Sequence, residues 1–292
     1  MNLNTMSGGK ASLAALLVAT AFAGFAGTAA AEVIPALHDA LPDEYKQNGV
    51  NVAVFNDWPP DEYVENGELK GWSVELSREI ADRLGVEFHY SPIGFDAIIP
   101  GIIGGRYDLG VSSFGPTAHR LQSLDFIAQR MAGTGFAVAA GNDITIDTET
   151  DLCGRSVAII AGSWDEQLIN GIDTDVCAAG NLERINLQQF PTQSAAELAV
   201  TSGRADITAA ASAKLRHLAA ATGGFDVKNL VVDAVHSSLG VRKGDPLGQA
   251  VTDAIQALMD DGTYLEIMTR WDLQNDGPLD KALLITAENF QE

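Results

Sequence analysis

Short β-prone runs alternate with amphipathic helical runs along this chain, and the alternation limits the folds open to it more than any other feature. Strand-like runs at 50–55, 86–90 and 109–111 are separated by helical patterns over 74–84 and 95–103. Glycines follow both helical patterns, where helices commonly end. Strands that alternate with helices form parallel sheets covered by helices, with ligands at the carboxyl ends of the strands. The sequence therefore predicts an α/β fold.

The same rhythm restarts after residue 140. The predicted elements of this second set are, in order, a strand over 157–161, a helix that opens at 162–165, a strand over 187–190, a helix over 194–201 and a strand over 207–211. Two such sets imply two lobes. We expect crossings between the lobes at 133–140 and 234–241, and a return to the first lobe through two helices over 247–271.

The N-terminus is typical of a secretory signal peptide. Lys10 precedes an apolar run from Leu13 to Phe25, and Ala29-Ala30-Ala31 then supplies a cleavage site of small residues. The apolar run is too short to favour a transmembrane anchor, and no cysteine follows it for lipid attachment. A buried N-terminal helix is the alternative. We expect a mature chain that begins near Glu32.

Charge and motif content exclude several classes of function. The formal net charge of −21 disfavours binding to nucleic acid or to anionic lipid. There is no Walker-type loop, and Phe114 and Val138 interrupt the nearest matches to a hydrolase elbow and to a dinucleotide fingerprint. The five histidines form no cluster with metal-ligand spacing. We therefore expect no metal and no cofactor.

The stretch RYDLGVSSFGPTAHRLQSLDF, residues 106–126, carries the clearest binding signal. It offers hydroxyls, backbone N–H groups in a loop, and Arg120. A guanidinium fork matches a carboxylate with two parallel hydrogen bonds, which a lysine cannot do. The stretch therefore predicts a site for a small carboxylate.

The chain has two cysteines, Cys153 and Cys177. Export to an oxidising compartment favours a disulfide between them, which would contribute about 3 kcal/mol in the chain-entropy model. Two separate buried thiols are the alternative.

Several short motifs occur in an order that resembles bacterial extracellular solute-binding proteins of family 3, the periplasmic binding proteins for polar amino acids. They cover about residues 48–272 and are Trp58-Pro59-Pro60, Gly71-Trp72-Ser73-Val74-Glu75-Leu76, Gly105-Arg106-Tyr107-Asp108, Thr117-Ala118-His119-Arg120, Gly203-Arg204-Ala205-Asp206, Val241-Arg242-Lys243-Gly244-Asp245, Asp261-Gly262-Thr263-Tyr264 and Trp271. Each motif alone is weak, but their shared order is specific. Leu152-Cys153-Gly154 with Cys177 also resembles a subgroup that carries this cysteine pair in its second lobe.

The resemblance implies a two-lobed periplasmic-binding-protein fold of type II, in which each lobe is a mostly parallel sheet flanked by helices and two hinge crossings join the lobes. The expected division is a signal peptide over 1–31, the first part of lobe one over 32–134, lobe two over 135–235, and the return to lobe one with the C-terminal helices and tail over 236–292.

The resemblance also implies a function. We expect a soluble periplasmic monomer without a lipid anchor, acting as the substrate-binding component of an ABC importer. It would close on a small carboxylate-bearing solute, an amino acid or a derivative, and deliver it to a membrane permease. Nucleic acid is not an expected partner, and the chain is predicted not to be an enzyme.

The same resemblance assigns residues to the cleft. Arg120 would hold the ligand carboxylate together with Ser113 and the backbone around Gly115, while Thr117 would contact ligand or brace the loop. The helix start Gly162-Ser163-Trp164 would offer free N–H groups, although it is also an ordinary helix cap. The aromatic walls would be Trp58 and Phe95, which are otherwise core residues.

One position departs from the family pattern. Relatives that take α-amino acids carry an aspartate after the third strand of lobe two that pairs with the ligand ammonium, and Ala211 stands there in this chain. A buried ammonium without an anion is costly. Either another acid replaces it, with Asp57, Asp61 and Asp165 as candidates, or the ligand is not a simple α-amino acid. The working hypothesis from sequence is that standard amino acids bind poorly.

Two other functions are compatible with the same resemblance. A few exported enzymes of this type, the cyclohexadienyl or arogenate dehydratases, use the same cleft to remove water and carbon dioxide from prephenate-like acids. That chemistry needs a general acid over the ring, for which Glu166 and Asp57 are the candidates, although no spacing supports either. A solute-sensing subunit that feeds a kinase is the other alternative.

Overall fold

The structure is a computed structural model that describes residues 33–291. The predicted signal peptide and the expected first mature residue, Glu32, lie outside the described residues. Across residues 33–291, no helix is both long enough and apolar enough to cross a bilayer.

Twelve strands occur in the described part of the chain. Their bounds are β1 Val50–Phe55, β2 Asp57–Trp58, β3 Glu62–Glu65, β4 Glu68–Lys70, β5 Phe88–Ile93, β6 Leu109–Phe114, β7 Leu124–Ala139, β8 Ser156–Ile160, β9 Asn186–Phe190, β10 Ile207–Ala211, β11 Phe225–Arg242 and β12 Leu284–Ile285.

The α-helices within residues 33–291 are α1 Pro35–Ala40, α2 Asp43–Asn48, α3 Trp72–Leu84, α4 Phe95–Ile103, α5 Trp164–Ile172, α6 Gln193–Thr201, α7 Ser212–Thr222, α8 Pro246–Asp260 and α9 Thr263–Arg270. Short 3-10 helices occur at Arg120–Gln122 and Glu149–Leu152, and a π-helical segment, Asp173–Ala178, follows α5.

One large mixed sheet organises the fold. Within residues 33–291 it has nine strands in the order β5-β1-β6-β11-β7-β10-β8-β9, and β12 pairs with β7 beside this path. β1 runs parallel to β5 and β6, and β8 runs parallel to β9 and β10. The long antiparallel pair β7 and β11 separates the two parallel groups. A small antiparallel sheet, β2-β3-β4, lies apart from it.

The predicted crossings lie within these two long strands. One end of β7 pairs with β12 at Phe126, and the other end pairs with β10 from Thr134 onward. Between these ends, Gly133 faces Ala234 of β11. The register shifts beside Ala234, where Asp233 has a φ of 40°. A bulge of this kind bends a strand, so the paired strands change direction where one parallel group gives way to the other.

Helix α3 illustrates how the sequence pattern sets the packing. Its apolar side chains Leu76, Ile80 and Leu84 are buried and face the core of the first parallel group. Gly85 ends the helix in the left-handed conformation, with a φ of 65°. This conformation is open to glycine at little cost.

Three buried clusters make up the core. One lies between α3, α8 and α9 and the face of β1 and β6, and a second lies between β8, β10 and α5. The third covers the opposite face of the sheet and includes residues of α4, α6 and α7. This third cluster is continuous across the two parallel groups, because β7 and β11 contribute residues to it from the middle of the sheet.

The fold class predicted from sequence is confirmed, and most predicted elements occur within a few residues of their expected positions. Two strands differ. β6 continues through Ser112 and Ser113 to Phe114, where a serine-rich loop is predicted, because β11 pairs with it as far as Phe114. β5 is shifted toward Ile93 because it aligns residue by residue with β1.

Cys153 and Cys177 form a disulfide, with their Cα atoms 5.5 Å apart. The bond ties the end of the 3-10 helix Glu149–Leu152 to the π-helical segment after α5. Of the two alternatives left open by the sequence, the disulfide is the one found.

Removing this bond should lower the free energy of unfolding by about 3 kcal/mol, because the reduced chain regains the entropy of a 24-residue loop. Urea unfolding of the Cys153→Ala/Cys177→Ala double variant, and of the original chain with and without reductant, measures this loss. An unchanged unfolding midpoint after complete reduction would contradict it.

Candidate functional site

A cavity lies between the two parallel groups, where the ends of β1 and β6 face the end of β8 and the start of α5. Its volume is about 50 Å³, below the range of roughly 300–1,000 Å³ that is usual for small-molecule sites, so its walls lie close together. The lining residues are Phe55, Trp58, Phe95, Ser112, Ser113, Gly115, Ala132, Gly133, Thr134, Ile160, Ser163, Trp164, Asp165, Ala211, Val235 and Ser237. The carboxyl ends of parallel strands thus meet at the cavity, as predicted for an α/β fold.

Aromatic side chains form the apolar wall. The ring of Phe55 lies 5.5 Å from that of Phe95 and 6.2 Å from that of Trp58, measured between centroids. Such tilted and edge-on pairs hold one another in place. Trp58 and Phe95 were expected here, and Phe55, the last residue of β1, completes the group. Trp164 lines the cavity from the start of α5.

Ser113 lines the cavity, but its two donors have other partners. Its hydroxyl donates to Asp61 Oδ2 at 2.7 Å, and its backbone N–H donates to Glu62 Oε1 at 3.1 Å. A solute carboxylate would have to displace Asp61 to receive the hydroxyl proton. The predicted contact between Ser113 and the ligand stays a prediction.

Next to Ser113 lies a buried cluster of charged groups, of which only Asp61 was named from sequence, as a candidate acid. Asp61, Glu62 and Arg130 are each 1 % exposed or less. Arg130 Nη2 lies 3.1 Å from Asp61 Oδ2, and its Nη1 lies 3.6 Å from Asp276 Oδ2. Burial and the neighbouring Asp61 raise the pKa of Glu62 well above its usual range. Asp61 is thus committed to Arg130 and Ser113.

Arg120 spans the two sides at the edge of the cavity. Its Nη1 donates to the Gly115 carbonyl and its Nη2 to the Gly162 carbonyl, both at 2.7 Å. The guanidinium carbon lies 5.9 Å from the ring centroids of Phe95 and Phe114. Burial lowers the pKa of Arg120 to about 10, so the side chain is cationic at neutral pH. These bonds use two of its five N–H donors.

Thr117 braces the same loop. It is buried, and its Oγ1 accepts a hydrogen bond of 3.2 Å from the backbone N–H of Arg120. The brace was one of the two roles proposed for it from sequence. It holds the turn from which Arg120 reaches across to Gly162.

The start of α5 presents three consecutive residues to the cavity, Ser163, Trp164 and Asp165. Ser163 is the N-cap, and its Oγ accepts from the backbone N–H of Glu166 at 3.3 Å. The Gly162 N–H donates to Glu166 Oε2 at 2.7 Å, so it points back to the helix. Gly162 borders a neighbouring surface pocket that also contains Arg120.

Asp165 is the acidic residue of the cavity lining, and it is 5 % exposed. Its Oδ1 accepts a 2.7 Å hydrogen bond from Thr134 Oγ1. Burial raises the pKa of this carboxyl, while the Thr134 hydroxyl and the charge of Arg120 act in the opposite direction. Thr134 is also the residue that faces Ala211 in the pairing of β7 with β10.

Asp57 lies outside the cavity lining and bonds across the cleft. Its carboxylate accepts from the backbone N–H of Ser194 at 2.9 Å and from the Ser194 hydroxyl at 2.5 Å. Ser194 is in the first turn of α6, where backbone N–H groups lack helical partners. An acid from β2 therefore caps a helix of the second parallel group.

The structure brings together seven of the eleven residues assigned to the cleft from sequence. Those that line the cavity are Trp58, Phe95, Ser113, Gly115, Ser163, Trp164 and Ala211. The four that lie at its edge or behind it are Asp57, Thr117, Arg120 and Gly162. Sequence reasoning missed Phe55, Thr134 and Ser237, and named Asp165 only as a candidate acid. Thr134 and Ser237 come from the long strands β7 and β11. Their polar side chains within apolar runs were the only sequence signal that could have indicated a place in the site.

No metal centre is evident in the described part of the chain. Residues 33–291 contain no group of three or more His, Cys, Asp or Glu side chains placed to hold a metal ion. The cavity is instead built from aromatic rings, hydroxyls and one carboxylate, which suits a small organic solute.

These features define a solute-binding protein, and comparison with known proteins gives its family. Residues 50–274 match the model of bacterial extracellular solute-binding proteins, family 3. The chain belongs to this family. Membership confirms the family inferred from the sequence motifs.

The arginine-binding protein ArgT of Corynebacterium glutamicum is 30 % identical over 254 residues, which cover 86 % of this chain and 83 % of ArgT. An ancestral arginine-binding protein, solved with bound arginine, has a TM-score of 0.68 at 28 % identity and covers 76 % of this chain and 97 % of its own. An ancestral amino acid-binding protein described as a precursor of cyclohexadienyl dehydratase has a TM-score of 0.70 at 26 % identity, with coverages of 78 % and 98 %.

Replacing Arg130 by leucine should destabilise the fold by about 3–5 kcal/mol, because Asp61 would remain buried without its cation. Arg184→Leu is the matched control. It removes an arginine from an ion pair with Asp173, but Arg184 is 61 % exposed, and we expect a much smaller loss of stability. Urea unfolding compares the two variants. Equal losses would mean that burial does not set the strength of the Asp61–Arg130 pair.

Proposed function

We propose that this protein is the substrate-binding component of an ABC importer and that it binds an amino acid or another small carboxylate-bearing solute. The observation that carries the proposal is the composition of the cavity. Phe55, Phe95 and Gly115 come from one parallel group, and Ser163 and Asp165 come from the other. A solute held there contacts both groups, so its binding is coupled to their approach.

Arg120 is the proposed anchor for the solute carboxylate. It is cationic, it is held between the loops of Gly115 and Gly162, and it keeps N–H donors beyond those two bonds. The backbone at Gly115 and the N-terminal turn of α5 lie on either side of it. Orphan N–H groups and the helix dipole favour an anion at such a turn. Ser113 joins this site only if its hydroxyl exchanges Asp61 for the solute.

Binding by closure follows from the contacts that cross the cleft. Arg120 bonds to the Gly162 carbonyl, and Asp57 bonds to Ser194. These bonds form only when the two groups are close, and a solute that contacts both groups shifts the population toward that closed form. We place the lobes at 32–134 with 236–292, and at 135–235, with the hinge where β7 and β11 cross.

The cellular setting is part of the same proposal. Residues 1–31 act as a leader for export, the mature chain works as a monomer in the periplasm without a lipid anchor, and a membrane permease receives the solute. The family description and the arginine-binding relatives support this setting.

A binding role is proposed in preference to the dehydratase. The acids considered for that chemistry both have structural partners outside the cavity lining. Glu166 accepts from the Gly162 N–H at 2.7 Å and from Gln189 Nε2 at 3.0 Å, and Asp57 caps α6. Incubation of the purified protein with prephenate or arogenate should leave both compounds unchanged, and turnover of either would reverse this choice.

An amino acid should raise the melting temperature of the mature protein. Binding to the folded state alone stabilises it by RT ln(1 + [L]/Kd), which is about 2.7 kcal/mol at a concentration of 100 Kd. A thermal-shift screen of the standard amino acids, betaines, opines and small organic acids, on protein refolded free of ligand, measures this. The absence of stabilisation by any carboxylate-bearing compound would overturn the proposed function.

Arg120→Ala should lower the affinity for the solute found in that screen about 100-fold, because a desolvated carboxylate loses its cation. Arg120→Lys should retain part of the affinity, since charge remains but the planar fork is lost. Arg106→Ala is the control, because Arg106 is an exposed arginine of the same stretch that stacks on Tyr107. Calorimetry measures the affinity of all three variants for the solute. Unchanged affinity in Arg120→Ala would remove Arg120 from the site.

A further inference from the structure

The carboxylate of Asp165 stands out because it is buried and its hydrogen-bond partners are hydroxyls and a backbone N–H, with no ion-paired cation among them. It lines the cavity, it is 5 % exposed, and it accepts a hydrogen bond from Thr134. Within residues 33–291, no lysine or arginine nitrogen lies within ion-pair distance of it, whereas the buried Asp61 has Arg130 at 3.1 Å. A buried anion without a cation is unfavourable, so a cation that enters the cavity gains a strong partner.

The rest of the lining also suits a cation. Phe55, Trp58 and Phe95 line the same space, and aromatic rings attract positive charge. Lys214 Nζ already lies 5.4 Å from the Trp58 ring centroid, and the Arg120 guanidinium lies 5.9 Å from that of Phe95. Arg120 lies at the edge of the cavity, where its guanidinium donates to the carbonyl of the lining residue Gly115. The cavity therefore has a positive edge and a negative wall, which complements a solute that carries charges of both signs.

The pairing of β7 with β10 relates Asp165 to Ala211. Ala211 faces Thr134 across the two strands, and the Thr134 hydroxyl donates to Asp165 at 2.7 Å. The carboxylate thus reaches the neighbourhood of the end of β10 from the start of α5. Of the three candidate acids, Asp57 is bonded to Ser194 and Asp61 to Arg130, which leaves Asp165 as the one that faces the cavity.

We propose that Asp165 is the residue that selects the solute, by pairing with a cationic nitrogen while Arg120 holds the carboxylate. This inference rests on the proposed function and specifies its ligand as an amino acid with a free cationic nitrogen. The sequence left two possibilities open at Ala211: another acid replaces the missing aspartate, or the ligand is not a simple α-amino acid. The inference favours the first. In place of the hypothesis that standard amino acids bind poorly, we therefore expect a standard amino acid to bind well.

Calorimetry with L-arginine and two of its analogues tests the pairing. Argininic acid has a hydroxyl in place of the α-ammonium, and L-citrulline has an uncharged urea in place of the guanidinium. If Asp165 pairs with the α-ammonium, the original protein should bind L-arginine at least about 100-fold more tightly than argininic acid. If Asp165 pairs with the guanidinium, the same preference should hold against L-citrulline. If the thermal-shift screen selects another amino acid, that amino acid and its 2-hydroxy analogue are the probes.

Asp165→Asn is the informative variant, because the amide keeps the size of the side chain and an acceptor oxygen for Thr134. It should lose about 100-fold in affinity for L-arginine and bind the uncharged analogue as well as the original protein does. Asp206→Asn is the matched control, since Asp206 also accepts a hydrogen bond from a hydroxyl, that of Ser156, and lies outside the cavity lining. It should not change the preference for L-arginine over the analogue. Thermal unfolding verifies that each variant is folded.

A second variant returns the carboxylate to β10. Asp165→Asn/Ala211→Asp should regain at least about tenfold of the lost affinity, because residue 211 lines the same cavity and faces Thr134. If Asp165→Asn binds L-arginine as tightly as the original protein, the inference is wrong and the proposed function stands. If the original protein binds no amino acid or other carboxylate, both fail.

Discussion

The antiparallel pairing of β7 with β11 is the constraint on which the rest of this structure depends. The two strands run through the middle of the sheet, with one parallel group on each side. Because β11 pairs with β6 of one group and β7 pairs with β10 of the other, the carboxyl ends of β1 and β6 are brought opposite the end of β8 and the start of α5. The cavity is the space between them, and its floor is formed by Ala132, Gly133 and Val235 of the same two strands. The register shifts near Ala234 place a bend in this strand pair beside the cavity.

Charge burial explains the layout of the site. Arg130 neutralises Asp61 next to Ser113, so this acid is a structural element. Asp165 is also buried and Arg120 is half-buried, but their partners are carbonyl, hydroxyl and backbone N–H groups. Neutral dipoles solvate an ion less well than an opposite charge does in a medium of low dielectric constant. The two ions therefore remain available to a solute of complementary charge, whereas the Asp61–Arg130 pair is already satisfied.

Local pattern predicted the elements well, because helix and strand formation depend on neighbouring residues. Helix α4 and strand β10 have the bounds read from sequence, and α3 ends at its glycine as expected. The errors are at β5 and β6, where the partner strand sets the length. At the site, the aromatic residues Trp58 and Phe95 were recognised from motifs, and Phe55 was not, since a phenylalanine at the end of a buried strand looks like any core residue.

By itself, the sequence determined the α/β class, the two sets of elements, the family and the loop that carries Arg120, all of which follow from local periodicity and short motifs. Only the tertiary structure decided where the charges point. Asp57, Asp61 and Asp165 are alike in sequence, and their roles differ because one reaches Ser194, one reaches Arg130 and one faces the cavity. Such distinctions depend on contacts between residues far apart in the chain, where burial and the sign of the nearest charge decide whether a carboxylate is structural or available to a ligand.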